Sequence, residues 1–322
     1  MSTTELRNMN ARNFGLRNRD INRALKNAAK ERGNGQKTVH DYGRYIDHFS
    51  QYLKDEKIKD LRDITREDVY KYSQLVKQQG LKDNHAASTT QTHLSAINTT
   101  LEQARGDKNL TVNPVRDANV ALRNNVRTEE KARDQKTHDE LKMQVSNLTS
   151  SLLTVQREIG LREKESILLN ANKALKEAEK RGVITISRGT KGGKVRETPI
   201  VRSDQIKALK ELAKIQTNEK NNCIIPLNKN LKEIRNKVEN EIKGSGGFHA
   251  ERHFYIINRY EELAKVNCPI QAGIEHKDRF DYISKELKIT VTDARKLDHE
   301  VRLKISKEVG HERIDITNSY LG

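Results

Sequence analysis

Apolar side chains recur at three- and four-residue spacing along most of this 322-residue chain, and one stretch departs from that pattern. The helical spacing is clear at Tyr42, Ile46, Phe49 and Leu53. The departure is a β-type run at 183–186, a glycine-rich turn at 189–193 and a second β-type run at 195–200. The sequence therefore predicts a mainly α (α+β) protein with one small antiparallel hairpin.

The charge balance indicates a polyanionic partner. Lys and Arg number 61 against 45 Asp and Glu, which leaves a net charge of +16, and neutralising phosphates with such cations releases counterions. The alternative is a soluble protein that happens to be basic. No apolar run approaches the ~20 residues of a membrane span, and the N-terminus has no secretory pattern. Cys223 and Cys268 have no metal-ligand spacing, so we expect a cytoplasmic protein without a membrane partner.

Helix start and stop signals predict two domains. Thr38 and Thr65 are each followed three residues later by an aspartate, which is a capping-box signal. The helical pattern stops before Asn113–Pro114, because the residue before a proline disfavours helix. We expect a helical bundle over residues 36–114 and a second, mostly helical domain over residues 137–322.

Two polar and basic segments flank the predicted bundle. Residues 1–35 are rich in arginine and lysine, and they are interpreted either as an arm that touches DNA or as a solvated leader. Residues 115–136 are polar and weakly patterned, as expected of a linker whose basic side chains suit a phosphate backbone.

Five short motifs carry residues suited to phosphate chemistry. In chain order they are Arg162 in Gly-Leu-Arg-Glu-Lys-Glu, Lys191 in Thr-Lys-Gly-Gly-Lys-Val-Arg, His249 with Arg252 in His-x-x-Arg, His311 after a glycine, and Tyr320 nine residues later. Each is common alone: Arg-x-x-Glu is usually a surface pair and a basic turn is usually solvated. The pair His249 and His253 could hold a metal, but Ala250 stands where the metalloprotease motif has glutamate, so we expect no metal.

In this order, with the lysine on a hairpin, the motifs resemble the tyrosine recombinases, the phage-type integrases of mobile elements. The resemblance covers nearly everything after residue 35. It implies a core-binding, DNA-binding domain at 36–114 and a catalytic domain at 137–322. It also implies the catalytic residues Arg162, Lys191, His249, Arg252, His311 and Tyr320, with Glu165 in support.

The resemblance implies that Tyr320 attacks a DNA phosphodiester and forms a 3′-phosphotyrosine. Arg162 and Arg252 would stabilise the phosphate charge, because a guanidinium binds phosphate bidentately. His249 would accept the tyrosine proton and His311 would hydrogen-bond the phosphate. Lys191 would be the general acid, with Lys194 as its rival. The residues expected to contact DNA are Arg188, Lys194 and Arg196. No cofactor is expected, and four protomers would act on double-stranded attachment sites.

Two features depart from the family pattern. The interval from Arg252 to His311 is longer than usual, which indicates an insertion around residues 267–300. Tyr320 lies two residues from the last residue of this chain, so we expect it to be mobile without DNA.

Three other functions stay open on the sequence. A non-catalytic DNA-binding accessory protein on the same scaffold would bind DNA without forming an adduct. A type IB topoisomerase-like nicking enzyme would relax supercoiled plasmid without exchanging strands. A basic structural protein without a site would bind DNA equally well after Arg162→Ala.

Overall fold

The computed structural model describes residues 7–33, 35–216 and 222–322. The chain divides into two compact units, Met1–Asn124 and Asn125–Gly322. The predicted fold class is confirmed, because the described residues are mainly α-helical with a two-stranded antiparallel sheet.

The described part of the first unit is helical. Its α-helices are α1 (Ile21–Glu31), α2 (Gln36–Asp55), α3 (Arg66–Lys82) and α4 (Ala87–Arg105). Aliphatic and aromatic side chains from all of them form one core, in which Phe49 and Leu53 are fully buried. Thr65 caps α3 through a complete capping box with Asp68, as predicted.

The segment expected as a basic arm is folded from Arg12 onward. A 3₁₀ turn at Arg12–Gly15 precedes α1, and Ala24, Leu25 and Ala28 of α1 are fully buried in the core. The described part of residues 1–35 therefore differs from an arm or leader, while residues 1–6 and 34 lie outside the described residues. The apolar stripe was inconspicuous because most of its members are alanines among basic residues.

The second unit holds the remaining helices and both strands. They are α5 (Gln135–Gln144), α6 (Asn147–Ile159), α7 (Glu163–Leu168), α8 (Ala171–Arg181), β1 (Val183–Ile186), β2 (Arg196–Pro199), α9 (Ser203–Ile215), α10 (Leu231–Glu241), α11 (His249–Ala264), α12 (Arg279–Leu287), α13 (Val291–Glu308) and α14 (Asn318–Leu321). In the described residues, no helix combines the length and apolar character needed to cross a membrane.

The predicted hairpin is confirmed almost residue for residue. β1 and β2 pair antiparallel, with Val183 opposite Pro199 and Ile186 opposite Arg196. Alternate side chains of β1, Ile184 and Ile186, point into the core, as expected of a strand with one buried face. The hairpin turn, which contains Lys191, therefore projects away from that core.

α11 is the buried helix on which the site is built. It packs against α6 and α13, and its Tyr255, Ile256 and Tyr260 are at most 1% exposed. α6 ends at Gly160, whose φ of +70° is left-handed and whose missing Cβ would lie 2.3 Å from the Tyr255 ring. Glycine is required at this turn, which brings the chain to Arg162.

The long interval between Arg252 and His311 supports the last described residues. It contains the rest of α11, a loop from Cys268 to Asp278, α12 and all of α13. The backbone N–H of Ile270 donates to the carbonyl oxygen of Leu321 at 3.2 Å, and Leu321 is fully buried. The suspected insertion thus holds the segment that carries Tyr320.

Candidate active site

Arg162 is fixed by Glu165, as the expected acidic neighbour would fix it. Arg162 stands at the N-cap of α7, where its backbone N–H donates to Glu165 Oε2 at 2.8 Å. Its Nη1 donates to Glu165 Oε1 at 2.7 Å. Glu165 is fully buried while the Arg162 side chain is 23% exposed. The buried carboxylate therefore orients the guanidinium, part of which remains accessible to a ligand.

Arg196 shares the same carboxylate, which differs from its expected role in contacting DNA. Its Nη1 and Nη2 donate to the two oxygens of Glu165 at 2.8 and 2.7 Å, and its Nε donates to the carbonyl oxygen of Glu308 at 3.0 Å. The side chain is only 8% exposed. Burial alone would raise the pKa of Glu165, but the hydrogen bonds and charge of Arg196 outweigh it and lower the pKa to about 2.

Arg252 is buried and anchored to backbone on two sides. It lies on α11 at 1% exposure, and its Nη1 and Nη2 donate to the carbonyl oxygens of Gly160 and Val309. Burial lowers the pKa of Arg252 to about 10, which leaves it charged at neutral pH. The guanidinium is therefore a fixed positive charge in a poorly solvated position.

His311 lies where the two predicted arginines converge. Arg162 Nη2 is 3.3 Å and Arg252 Nη2 is 3.4 Å from His311 Nε2. Guanidinium nitrogens can only donate, so Nε2 is the acceptor and the ring proton resides on Nδ1. Burial and these arginines lower the pKa of His311 to about 4, so the ring is neutral at pH 7.

Tyr320 lies on α14 against three histidine rings. The distances from its ring centroid are 4.6 Å to His253, 5.6 Å to His249 and 6.5 Å to His311. The tyrosine is 6% exposed. The expectation of a mobile tyrosine is therefore not met, because the ring is packed in this structure.

The two histidines of α11 are held neutral. Loss of solvent around the ring, followed by the charges of Arg252 and Arg162, lowers the pKa of His249 to about 4, although the residue as a whole is exposed. Burial and the neighbouring His249 lower the pKa of His253 to about 3. Their ring centroids are 4.9 Å apart, and within the described residues no group of three His, Cys, Asp or Glu side chains could hold a metal ion.

Lys191 and Lys194 of the hairpin turn are exposed, unlike Arg196 of β2. Lys191 begins a 3₁₀ turn and is exposed, and its charge is one of those that lower the pKa of His311. Lys194 Nζ pairs with Glu312 Oε1 at 2.5 Å, with both side chains more than 60% exposed. Arg188 Nη1 donates to the carbonyl oxygen of Asn222 at 3.1 Å. These contacts of Lys194 and Arg188 do not involve Arg162 or Arg252.

A cleft of about 510 Å³ opens beside the arginines. Arg162, His249 and Arg252 line it, together with the glycine-rich turn at residues 244–247. The site therefore presents two guanidiniums and a histidine to a cavity large enough for a phosphate and its sugar.

Sequence reasoning missed a buried polar network inside the His-x-x-Arg motif. Glu251 is fully buried, and its oxygens accept hydrogen bonds from Arg133, His138 and Arg157. Arg133 also donates to the carbonyl oxygen of Gly247 at 3.0 Å. The network thus connects α11 to the turn that precedes it. Local spacing could not reveal it, because the partners of Glu251 lie about a hundred residues upstream.

Two family models match the sequence, namely "Integrase" over residues 123–261 and "Phage integrase, N-terminal SAM-like domain" over residues 21–104. The chain belongs to the tyrosine recombinase (phage integrase) family. It is a site-specific tyrosine recombinase, a DNA strand transferase. Arg162, Lys191, His249 and Arg252 lie inside the integrase match, and His311 and Tyr320 lie beyond its end. Comparison with curated proteins gives no match.

Among solved tyrosine recombinases, lambda integrase shares the fold of this chain, and two others align with it at lower scores. The structure of a lambda integrase dimer bound to a COC' core site has a sequence 16% identical to this chain. The alignment covers 85% of this chain and 75% of the lambda integrase chain, with a TM-score of 0.51. XerH bound to a palindromic difH substrate, in a post-cleavage complex, is 15% identical over 88% of this chain and 83% of its own, with a TM-score of 0.48. The XerA recombinase is 15% identical to this chain, and the alignment covers 92% of this chain and 91% of XerA, with a TM-score of 0.37.

Proposed function

We propose that this recombinase is the integrase of a mobile element and that Tyr320 is its nucleophile on double-stranded DNA. The observation that carries the proposal is the approach of Arg162 and Arg252 to one atom, His311 Nε2, at 3.3 and 3.4 Å. Fixed cations beside a tyrosine suit the transfer of a phosphate to the phenol oxygen, because they stabilise the charge that develops on the phosphate.

In the cutting step, the Tyr320 hydroxyl oxygen attacks the phosphorus. The bond between that oxygen and phosphorus forms while the bond from phosphorus to the 5′ oxygen of the DNA breaks. The product is a 3′-phosphotyrosine and a free 5′ hydroxyl. A 5′ hydroxyl from a partner duplex then attacks the phosphorus, the bond from phosphorus to the Tyr320 oxygen breaks, and the tyrosine oxygen regains its proton. The bond energy is retained in the covalent intermediate, so the proposal includes no ATP and no other cofactor.

His249 is proposed to accept the tyrosine proton. Its ring is neutral because its pKa is about 4 without DNA, so it has a free nitrogen to accept with. The arrival of a negatively charged phosphate would raise that pKa, because an opposite charge favours the protonated ring. His311 is proposed to hydrogen-bond the same phosphate.

Lys191 is proposed to protonate the leaving 5′ oxygen. It is exposed on the hairpin turn, and its charge reaches His311. The rival Lys194 is engaged with Glu312. We therefore assign Lys194 and Arg188 to the DNA backbone, and we assign Arg196 to holding Glu165 beneath Arg162.

DNA is the proposed partner on grounds of charge and likeness. The net charge of +16 suits a polyanion, and lambda integrase, which has the same fold, was solved as a dimer on a DNA core site. Exchanging both strands of two duplexes needs four cuts, hence a proposed homo-tetramer. Cys223 and Cys268 are both free thiols, which suits a cytoplasmic protein.

Denaturing capture of protein-linked DNA tests this proposal. Cells expressing the chain should yield a detergent-resistant adduct that Tyr320→Phe abolishes and that Tyr282→Phe, a control elsewhere in the same unit, retains. Sequencing the linked DNA identifies the site. An adduct that survives Tyr320→Phe would refute the assignment, and DNA binding without any adduct would favour an accessory protein. Plasmid relaxation without strand exchange would favour a topoisomerase-like enzyme.

A further inference from the structure

The helix that carries Tyr320 is too short to be stable by itself. α14 has four residues, and an isolated helix of that length has no stability in water. The last four carbonyl groups of any helix also have no partner within it. The placement of Tyr320 must therefore come from groups outside α14.

Three separate segments supply those groups. Ile270 N–H donates to the carbonyl oxygen of Leu321 at 3.2 Å, and Arg302 Nη1 donates to the Asn318 side chain at 3.0 Å. The third segment contains Arg127. Its backbone N–H donates to the Asn318 carbonyl oxygen at 3.0 Å, and its Nε donates to the Ser319 carbonyl oxygen at 3.2 Å.

Arg127 differs from the other two contacts because its charge also acts on the proposed proton acceptor, His249. Its charge is among those that lower the pKa of both His249 and His253. One side chain thus holds the peptide next to Tyr320 and adds positive charge beside the histidines that pack on the tyrosine ring.

We propose that Arg127 is a positioning residue for the nucleophile: it holds α14 through the carbonyl oxygens of Asn318 and Ser319, the two residues before Tyr320. This inference rests on the proposed role of Tyr320. It assigns a function to a segment, residues 115–136, that the sequence predicts only as a polar linker. The backbone contact survives any substitution, so variants test the side chain alone.

The charged and titratable groups that act on His249 or contact its ring come from several elements of the second unit. They are Arg252 and His253 of α11, Arg162 before α7, Arg127, and Tyr320 of α14. Removing the charge at position 127 raises the pKa of His249 and leaves the others in place. The acid limb of a cleavage profile, where His249 becomes protonated, should then move to higher pH.

The test uses the DNA sequence recovered by covalent capture, made as a synthetic duplex nicked beside the cut so that cleavage is irreversible. Arg127→Gln should slow adduct formation by roughly tenfold, the effect of losing a hydrogen bond from a charged donor, and should move the acid limb upward. Arg127→Lys should keep the limb in place, because it keeps the charge, and should recover part of the rate. Lys207→Gln removes the same charge from a 71% exposed side chain of α9 and should leave both unchanged.

Each other outcome decides a separate question. No adduct from the wild-type protein refutes the proposed function itself. A wild-type adduct with unchanged rate and limb in Arg127→Gln refutes only the role of Arg127. Equal slowing in Lys207→Gln would mean a general charge effect. A smaller reactive fraction with an unshifted limb in Arg127→Gln would mean a structural role. Either result would make the inference wrong.

Discussion

The positive charges of the site are held in two opposite ways. Arg252 is buried and bonded to the carbonyl oxygens of Gly160 and Val309, and Arg162 is oriented by the buried Glu165. Lys191 and Lys194 are exposed on the hairpin turn, and Lys194 pairs with the exposed Glu312. One set is fixed before DNA arrives, and the other can move.

This difference matches what each set is proposed to do. Stabilising charge on a phosphate is most effective when the donors need not reorganise during the reaction. Donating a proton to a leaving oxygen requires close approach, and the product must then depart. The comparison predicts that substitutions in the fixed set lower both activity and stability, whereas those in the hairpin lower activity alone.

The largest effect is expected for Arg252→Lys. Lysine keeps the charge but lacks the planar fork that reaches two backbone carbonyls, so single-turnover cleavage should fall about 10³-fold, as when a fixed oxyanion donor is lost. DNA binding, measured by titration of a labelled duplex, should change little, since many other cations contact the backbone. Arg181→Lys, at a 48% exposed side chain without a role in the site, is the control and should cleave normally. Near-normal cleavage by Arg252→Lys would refute the claim.

Glu165→Gln should remove a pH-dependent part of the stability. The pKa of Glu165 is lowered from near 4.5 to about 2 in the folded protein. A carboxylate with a lowered pKa stabilises the fold above its unfolded pKa, and that stability is lost as the pH falls from about 4.5 to about 2. The shift corresponds to an order of 3 kcal/mol.

Urea denaturation at several pH values between 5 and 2 checks this prediction. The difference in unfolding free energy between wild type and Glu165→Gln should shrink as the pH falls. Glu312→Gln removes an exposed carboxylate on the hairpin side and should show no such convergence. A constant difference for Glu165→Gln would mean that burial and packing, rather than the ionised pair with Arg196, hold this part of the site.

Lys191→Ala should slow cleavage about a hundredfold, the usual contribution of a general acid, without changing the unfolding free energy. Lys194→Ala should slow it far less. A duplex in which sulfur replaces the leaving 5′ oxygen should restore cleavage by Lys191→Ala, because a thiolate leaves without a proton. If Lys194→Ala shows the larger defect and the sulfur rescue, the general acid has been assigned to the wrong lysine.

The sequence predicts well where local spacing carries the information. Strand β1 was located correctly because β-branched residues precede a glycine-rich turn, and Thr65 caps α3 because Asp68 completes the box. The same signal was wrong at Thr38. There α2 begins at Gln36, after Gly35 in an extended conformation and without a side-chain cap.

The sequence predicts less well where a side chain is held from far along the chain. The sequence predicts that Arg196 contacts DNA, because spacing alone does not show where its side chain points. In the structure, the pairing of β2 with β1 directs Arg196 toward Glu165. Glu251 and Arg127 contact residues that are more than a hundred positions away in the sequence, Arg133 and Ser319 respectively. Several anchors are backbone carbonyls, such as that of Gly160, which any residue type could supply.

The smallest effect is expected for Gly310→Ala, compared with Gly273→Ala. The comparison separates the cost of a left-handed backbone from the cost of a close contact with Arg196. Gly310 has a φ of +73°, and an added Cβ would lie 3.0 Å from Arg196 Cδ and Nη1. Gly273 has a φ of +67° with open space around it, so both alanine variants share a left-handed cost of about 1 kcal/mol. Gly310→Ala should lose more stability in urea and slow cleavage severalfold, because Arg196 must shift and His311 follows Gly310. Equal stability and normal cleavage in both variants would mean that the buried arginines tolerate displacement. The buried arginines and the exposed lysines of the hairpin turn would then not differ in how precisely they must be held.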